Sequence, residues 1–232
     1  MVAREARRQV VHGEARRKLG TYYPDTGPLR RELYPRHLAF FAAGASHRER
    51  LFMAANRVGK TEGVGGYETT LHLTGAYPPW WEGRRFARPI NAWAAGRTGE
   101  TTRDIVQSKL FGRVDGTGSR KRFSGTGLVP GDAIEDCSWR GTFADLADTV
   151  SIRHVAGGVS TLGLKSYQQG RGAFEGTEQD LVWLDEEPPL DVYVECVVRT
   201  MTTDGLVMVT FTPLEGMSEV VMSFLESQRS EP

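Results

Sequence analysis

The stretch Leu51-Phe-Met-Ala-Ala-Asn-Arg-Val-Gly-Lys-Thr61 decides the fold class, because an apolar run ends here in a loop that closes with Gly-Lys-Thr. This pattern is typical of a phosphate-binding loop, in which backbone N–H groups and a helix N-terminus surround a phosphate. Ala54 stands where the pattern has its first Gly. In such a loop Lys60 supplies a positive charge and Thr61 a hydroxyl to Mg²⁺. The alternative is a strand-to-helix turn that contains Gly-Lys-Thr by chance.

A second stretch, Asp180-Leu-Val-Trp-Leu-Asp-Glu-Glu-Pro-Pro189, favours the nucleotide interpretation. Residues 181–184 are apolar and predict a strand buried on both faces, whose carboxyl end faces the ligand crevice of a parallel sheet. Asp185 then lies where a carboxylate holds Mg²⁺, and Glu186 where a base orients and activates water. Taken alone, this stretch also fits a strand that ends in an acidic turn. Together the two stretches predict a nucleotide hydrolase.

Composition predicts one large α/β domain with appendages, since the 232 residues are 39% hydrophobic and 25% charged. Cys137 and Cys196 have no metal-ligand spacing and indicate reduced thiols. The N-terminus is too polar for a secretory signal, and no apolar run reaches the ~18 residues of a membrane span. We therefore expect a soluble intracellular protein without a membrane partner.

The formal net charge is zero, which argues against a general nucleic-acid coat protein, but the charges are segregated. Residues 84–122 contain ten Lys/Arg and three Asp/Glu, whereas residues 171–232 contain three Arg and thirteen acids. This pattern is compatible with a protein that binds an ion on its acidic face and a polyanion on its basic face. Solvated surfaces whose charges average out are the alternative.

The domain prediction has three parts. Residues 1–32 form a basic helical arm, residues 33–213 the ATPase core, and residues 214–232 a C-terminal helix that begins a lid or linker. Within the core, the Gly-rich residues 112–141 are expected to form a mobile surface excursion that carries Arg120-Lys121-Arg122. Residues 149–153 and 159–165 alternate polar and apolar residues around Ala156-Gly-Gly158, which indicates a β-hairpin.

Two aromatic segments leave alternatives open. In the predicted helix that begins at Pro35, Tyr34 or His37 is placed to stack on or hydrogen-bond an adenine, but a core-facing aromatic and a surface His fit equally well. Trp80 and Trp81 fit either a stacking platform for nucleic acid or core packing under a long loop.

With these motifs in order, the chain resembles the ATPase half of the large terminase subunit, the genome-packaging motor of tailed bacteriophages. The matching stretches are residues 33–41, Asn56-Arg-Val-Gly-Lys-Thr61, residues 181–189 and Thr210-Phe-Thr-Pro213. The resemblance implies a RecA-like P-loop fold, with a mostly parallel sheet flanked by helices and an antiparallel addition. It also implies ATP and Mg²⁺ as cofactors.

Carried over to this chain, the resemblance implies that Thr61 and Asp185 hold the metal and that Glu186 is the catalytic carboxylate. Thr210 and Thr212 belong to the coupling motif, in which Thr212 senses the γ-phosphate. The family often has Gln where this chain has His37. The implied nucleotide-binding residues are Ala55, Asn56, Arg57, Val58, Gly59, Lys60, Thr61, Tyr34 and His37.

The family also implies partners. These are double-stranded DNA, the phage portal protein, the small terminase subunit and further copies of the chain, which form a ring, a pentamer, while packaging and are monomers in isolation. The place of action would be the host cytoplasm, at the procapsid portal. An arginine completes such a site, in cis or in trans, and Arg57, Arg103 and Arg113 are the candidates.

Two other function classes share these motifs. A nucleic-acid helicase normally needs a second RecA-like core, for which the sequence has neither a second phosphate loop nor the length. A non-catalytic nucleotide-binding assembly protein would bind ATP without turnover. The family's carboxy-terminal nuclease finds no counterpart in this sequence, so we expect ATP hydrolysis without DNA cleavage.

Overall fold

The computed structural model describes residues 18–213 and 218–229, the last four of them as backbone only. Most of the predicted N-terminal arm and the start of the predicted C-terminal linker lie outside these residues. The described part of the arm, residues 18–32, is not α-helical. It contains short 3₁₀ turns at Lys18–Thr21 and Arg31–Leu33 and packs on the core.

The described chain alternates strands and helices. The strands are β1 Glu49–Met53, β2 Asn91–Gly96, β3 Val114–Asp115, β4 Arg122–Phe123, β5 Ile134–Trp139, β6 Ala147–Arg153, β7 Val159–Ser166, β8 Leu181–Asp185 and β9 Leu206–Phe211. The main helices are α1 Pro35–Ala43, α2, which is π-helical over Lys60–Gly66 and α-helical over Tyr67–Thr74, α3, which runs through Gly99–Thr101, Thr102–Gln107 and Ser108–Phe111, α4 Leu190–Met201 and α5 Glu219–Arg229.

The main sheet has seven strands in the order β1-β9-β8-β2-β7-β6-β5. The five strands from β1 to β7 in this order are parallel, and β6 and β5 continue the sheet in antiparallel pairing. Two buried apolar clusters, one with side chains from α2 and the other with side chains from α4 and α5, pack against the sheet. The predicted α/β architecture is therefore confirmed, and so is the hairpin formed by β6 and β7.

The central strands are apolar throughout because both of their faces are covered. Every residue of β8 and of β9 is buried. Their carboxyl ends lie side by side with that of β1, as the pairs Asp185↔Thr210 and Met53↔Phe211 show. In a sheet of this kind the ligand crevice lies at this edge. The strand order therefore places the loop after β1 and the acidic end of β8 next to each other, although they lie far apart in the sequence.

Residues 112–141, predicted to be a mobile surface excursion, are partly integrated into the fold. Phe123, Leu128 and Val129 are buried, and β5 is the terminal strand of the main sheet. The register of β5 shifts twice, and such bulges interrupt the polar–apolar alternation that would have identified a strand. The prediction of a surface excursion is therefore wrong for Phe123, Leu128, Val129 and strand β5, while the mobility expected of the rest stays a prediction.

The paired tryptophans belong to the core. Trp81 is 4% exposed and its ring centroid lies 5.0 Å from that of Phe41, while Trp80 stacks parallel to Tyr67 at 6.3 Å. The alternative of core packing is thus confirmed over the nucleic-acid stacking platform. No helix in the described residues is long and apolar enough to cross a membrane.

A buried polar network joins α2 to β1 and to the loop that follows α2. The Tyr77 hydroxyl accepts from the N–H of Phe86 (2.8 Å) and is hydrogen-bonded to Nδ1 of His72 (2.8 Å). Nε2–H of His72 then donates to Glu68 (3.1 Å), which accepts two further hydrogen bonds from the Arg50 guanidinium. Burial lowers the pKa of His72, so the ring is neutral, and because the Glu68 carboxylate only accepts, the proton is on Nε2 and Nδ1 accepts from the Tyr77 hydroxyl.

This network predicts that stability falls as the solution is acidified. Burial lowers the pKa of His72 below its usual 6.5, so in the unfolded chain it takes up its proton first as the pH falls. Burial alone would raise the pKa of Glu68, but Arg50 and His72 outweigh it and hold that pKa below its usual 4.5. The free energy of unfolding should thus decrease as the pH falls below 6.5, and again below 4.5.

Urea unfolding between about pH 8 and pH 5 measures the first of these losses. The variant His72→Gln keeps an N–H donor but cannot titrate, so its stability should vary less with pH than that of the wild type. His47→Gln, at an exposed histidine, is the matched control. An equal pH dependence in wild type and His72→Gln would contradict this explanation.

Candidate active site

The predicted phosphate loop, called the phosphate loop below, connects β1 to the N-terminus of α2 at the carboxyl edge of the sheet. Gly59 has a φ of 84°, in the left-handed region that glycine adopts without steric cost. Ala54, at the position of the missing Gly, is not among the residues with positive φ. Its backbone therefore does not require glycine, and the departure from the pattern costs no strain.

The loop lysine is held in place by the end of β9. Nζ of Lys60 donates to the Thr212 hydroxyl (2.5 Å), and that hydroxyl donates to Oδ1 of Asn56 (2.9 Å). Lys60 is 7% exposed, and its Nζ lies 3.9 Å from a Glu186 carboxylate oxygen. The structure thus brings together four residues predicted from three separate motifs.

Asp185 accepts two hydroxyl hydrogen bonds. Thr61 donates to it at 3.0 Å and Thr210 at 2.8 Å. Nε1–H of Trp183 can only donate, and it donates to the Thr210 hydroxyl (2.9 Å), which leaves the proton of that hydroxyl for Asp185. Trp183 lies close to α2 because Gly65 has no side chain: a Cβ there would come within 2.2 Å of its indole nitrogen.

The surroundings of Asp185 suit a hard divalent cation. Burial raises its pKa to about 6, the neighbouring Glu186 adds to this shift, and the hydrogen bonds from Thr210 and Thr61 oppose it. A buried carboxylate whose charge is incompletely compensated gains from a cation, and carboxylate and hydroxyl oxygens are ligands that Mg²⁺ accepts. The described residues contain no group of three or more His, Cys, Asp or Glu side chains that could hold a metal ion by themselves. Mg²⁺ bound by one carboxylate together with nucleotide phosphates does not need one.

Glu186 occupies a strained position at the carboxyl end of β8. Its φ is 65°, which a non-glycine residue rarely adopts and which costs ~1–3 kcal/mol. Its N–H donates to the carbonyl of Thr210 (2.8 Å), and the Tyr167 hydroxyl lies 3.0 Å from the carbonyl oxygens of both Asp185 and Glu186. The side chain is 43% exposed, so it reaches solvent from a fixed backbone.

A cavity of about 600 Å³ opens beside the phosphate loop. Its walls include Tyr34, His37, Arg57, Val58 and Gly59, all of them predicted to bind nucleotide. The cavity therefore continues the phosphate site in the direction where a nucleoside would lie.

His37 is committed to other contacts in this cavity. It is 7% exposed, its Nδ1 is hydrogen-bonded to the Tyr23 hydroxyl (2.8 Å), and burial lowers its pKa. The alternative of a surface histidine is therefore wrong. The predicted contact between His37 and adenine stays a prediction.

The three candidate arginines lie in different places. Arg57 is in the phosphate loop with a φ of 66° and lines the cavity. Arg103 is on α3, where it pairs with Asp104 and donates to the Ala144 carbonyl. Arg113 is exposed between α3 and β3. Within the described residues only Arg57 is brought to the candidate site.

Sequence patterns did not single out three residues that support the site. Tyr167 is hydrogen-bonded to the backbone of Glu186, Trp183 to the hydroxyl of Thr210, and Tyr23 to the ring of His37. The one available signal was that Trp183 and Tyr167 are large polar-tipped aromatics, which need a hydrogen-bond partner when buried.

Comparisons with known proteins identify one family. The family model described as "Terminase large subunit, T4likevirus-type, N-terminal" matches residues 51–231. The large terminase subunit of Salmonella phage P22 is 36% identical over 213 residues, which cover 84% of this chain and 41% of that protein. A large terminase from a thermophilic bacteriophage, solved in complex with ADP, is 12% identical with a TM-score of 0.49, over 86% of this chain and 38% of that one. The chain thus spans less than half the length of either protein.

Proposed function

The chain belongs to the family of phage terminase large subunits, T4likevirus-type, and matches their N-terminal part, and we propose that it is an ATP-hydrolysing motor domain that drives double-stranded DNA into a procapsid. One observation carries this proposal. Lys60, Thr61, Asp185, Glu186 and Thr212 meet at the carboxyl ends of β1, β8 and β9, although they come from three motifs.

In the proposed reaction, Lys60 and the backbone N–H groups at the start of α2 bind the β- and γ-phosphates of ATP. Thr61 and Asp185 are the residues that would hold Mg²⁺, and the ion would offset the negative charge of the phosphates. The Thr61 hydroxyl donates its proton to Asp185, and its oxygen would still have a lone pair available for the ion.

Glu186 orients a water molecule toward the γ-phosphorus and accepts its proton. The water oxygen forms a bond to the γ-phosphorus as the bond between that phosphorus and the β–γ bridging oxygen breaks, and ADP and inorganic phosphate leave. The hydrogen bonds from Tyr167 and to Thr210 support this role, because they fix the backbone from which the carboxylate extends. Arg57 is the arginine we propose to complete the site in cis, and Arg103 and Arg113 stay candidates in trans.

Coupling of the site to movement is proposed to run through the end of β9. The Thr212 hydroxyl is bonded to Lys60 and to Asn56. A γ-phosphate would draw Lys60 away from Thr212 and free that hydroxyl to change partners. The segment that follows Thr212 would then respond to whether ATP or ADP is bound.

A short basic ribbon is the proposed contact for DNA. It consists of β3, β4 and the turn between them, and it exposes Arg120 and Arg122, for which no ion pair is found within the described residues. The ribbon is anchored because Phe123 stacks on Phe111 (4.8 Å between ring centroids), at the end of α3. Exposed guanidinium groups without internal partners are suited to phosphates.

The DNA contact and the ATPase are tested in one experiment, steady-state ATP hydrolysis with and without duplex DNA. We expect Mg²⁺-dependent hydrolysis that duplex DNA accelerates. Arg120→Ala/Arg122→Ala should keep the rate without DNA but lose the acceleration. In a plot of the logarithm of the DNA-binding constant against the logarithm of salt concentration, the negative slope should become less steep by about 2. Each lost phosphate contact accounts for about one unit of this change.

The matched control is Arg30→Ala/Arg153→Ala, which removes the same charge from two exposed arginines that already pair with Glu32 and Glu135. Equal loss of DNA binding in both double variants would overturn the ribbon assignment. Acceleration by single strands alone would favour the helicase-like alternative, and ATP binding without turnover the non-catalytic one.

The remaining partners follow from the family proposal. They are the portal protein, the small terminase subunit and further copies of the chain in a ring, acting in the host cytoplasm at the portal. Absence of nuclease activity in this polypeptide also stays a prediction.

A further inference from the structure

We propose that residues 18–23 form a strap that positions the first turn of α2 and thereby sets the affinity of the phosphate loop for nucleotide. This inference rests on the proposed function. The strap lies upstream of residue 51, where the family model begins to match. The sequence analysis assigned these residues to the N-terminal arm and gave them no part in the site.

Three side chains of the strap interact with two consecutive residues of α2. The Lys18 ammonium pairs with Glu62, and burial together with the same carboxylate raises the pKa of the Tyr22 hydroxyl. The Tyr23 hydroxyl donates to the Gly63 carbonyl at 2.5 Å. Glu62 and Gly63 directly follow Lys60-Thr61, so the strap contacts the turn that presents the phosphate-binding groups.

Tyr23 is the fixed point of the strap. It is 4% exposed, and its ring centroid lies within 6.0 Å of those of six neighbours, which are Tyr22, Tyr34, His37, Phe41, Tyr67 and Trp80. Its φ of 54° is in the left-handed region. A bulky residue held in such a conformation by close packing has little freedom to move. The Tyr23 hydroxyl therefore has a fixed position and holds the first turn of α2 in place.

A shift of Gly63 reaches the phosphate loop through backbone hydrogen bonds. The N–H groups of Gly63 and Val64 both donate to the carbonyl of Gly59, at 2.6 and 3.1 Å. This first turn of α2 is π-helical, a geometry that is less favourable than the α-helix and that is frequent at functional sites. A displacement of Gly63 therefore moves Gly59, the residue whose left-handed conformation shapes the loop.

The hydroxyl of Tyr23 is the part to remove, because Tyr23→Phe keeps the ring and its packing. Tyr67→Phe is the matched control: its ring lies 5.0 Å from that of Tyr23 in the same cluster, and among the described residues no hydrogen bond to its hydroxyl is found. The readouts are amide hydrogen exchange of residues 59–66 and the dissociation constant of MgADP, both in the full chain and well below the unfolding temperature.

We expect Tyr23→Phe to accelerate exchange in residues 59–66 relative to β8 and to weaken MgADP binding about tenfold, since the Gly63 carbonyl and Nδ1 of His37 both lose a hydrogen-bond partner. Tyr67→Phe should change neither. Lys18→Met, which removes a partly exposed ion pair and leaves the core intact, should weaken binding about twofold.

Unchanged exchange in Tyr23→Phe would overturn the strap, and so would faster exchange with unchanged MgADP affinity, because the contact would then stabilise α2 without positioning the loop. Equal effects of Tyr23→Phe and Tyr67→Phe would overturn it as well. A wild-type protein that binds no MgADP would overturn the proposed function, and the exchange measurement would still decide whether the strap holds α2.

Discussion

The Glu186→Gln variant is expected to keep ATP and Mg²⁺ bound while its turnover falls by on the order of 10²-fold or more. Glutamine has the size and shape of glutamate but cannot accept a proton from water. Because the backbone of Glu186 is held by Thr210 and Tyr167, the new side chain should extend from the same position. The loss then belongs to the chemical step and leaves binding unaffected.

Single-turnover hydrolysis and nucleotide binding, measured on the same preparation, separate the two quantities. Glu178→Gln is the matched control, since Glu178 is an exposed carboxylate on the segment that leads into β8. It should hydrolyse ATP at the wild-type rate. A Glu186→Gln variant whose turnover stays within a few-fold of the wild type would show that Glu186 is not the base.

The Lys60→Ala variant is expected to lose tight ATP binding, with an affinity lower by on the order of 10²-fold or more. Lys60 is the buried cation of the predicted phosphate loop, and at 7% exposure its charge would act on the phosphates with little screening by water. Without it the β- and γ-phosphates would lose the charge that supplements the backbone N–H groups. The released Thr212 hydroxyl keeps Asn56 as a partner, so the fold should survive.

Binding of ATP measured by calorimetry, together with thermal unfolding, tests this expectation. Lys60→Met keeps most of the side-chain volume and removes the charge, so it should lose as much affinity as Lys60→Ala. Retained affinity in Lys60→Met would show that packing, and not charge, matters at this position. If Glu186→Gln lost as much ATP affinity as Lys60→Ala, Glu186 would have a structural role.

Local patterns were sufficient where the signal lies within one segment. The apolar run of residues 181–184 can only be a strand covered on both faces, and β8 is buried throughout. Gly59 marks a left-handed turn that few other residues adopt, and Pro35 begins α1 as its fixed φ favours. Because each of these features is set by the chain's own backbone, the sequence alone predicted the α/β class and the loop between β1 and α2.

The pattern failed where burial is only partial. Strand β5 lies at the edge of the sheet, its register shifts twice, and its residues are half-buried or exposed, so no alternation identified it. Residues 18–23 gave no signal either, because an isolated Tyr-Tyr pair in a short connector has no periodicity. Only the packing of Tyr23 among six rings reveals that this segment belongs to the core.

The contacts that define the site were decided by tertiary structure. Strand β9 lies between β1 and β8, and only this order places Thr210 beside Asp185 and Thr212 beside Lys60. The spacing of these residues along the chain does not encode that neighbourhood. It results from the burial of apolar strands against helices on both faces, a free energy that depends on the whole sheet and on no single motif.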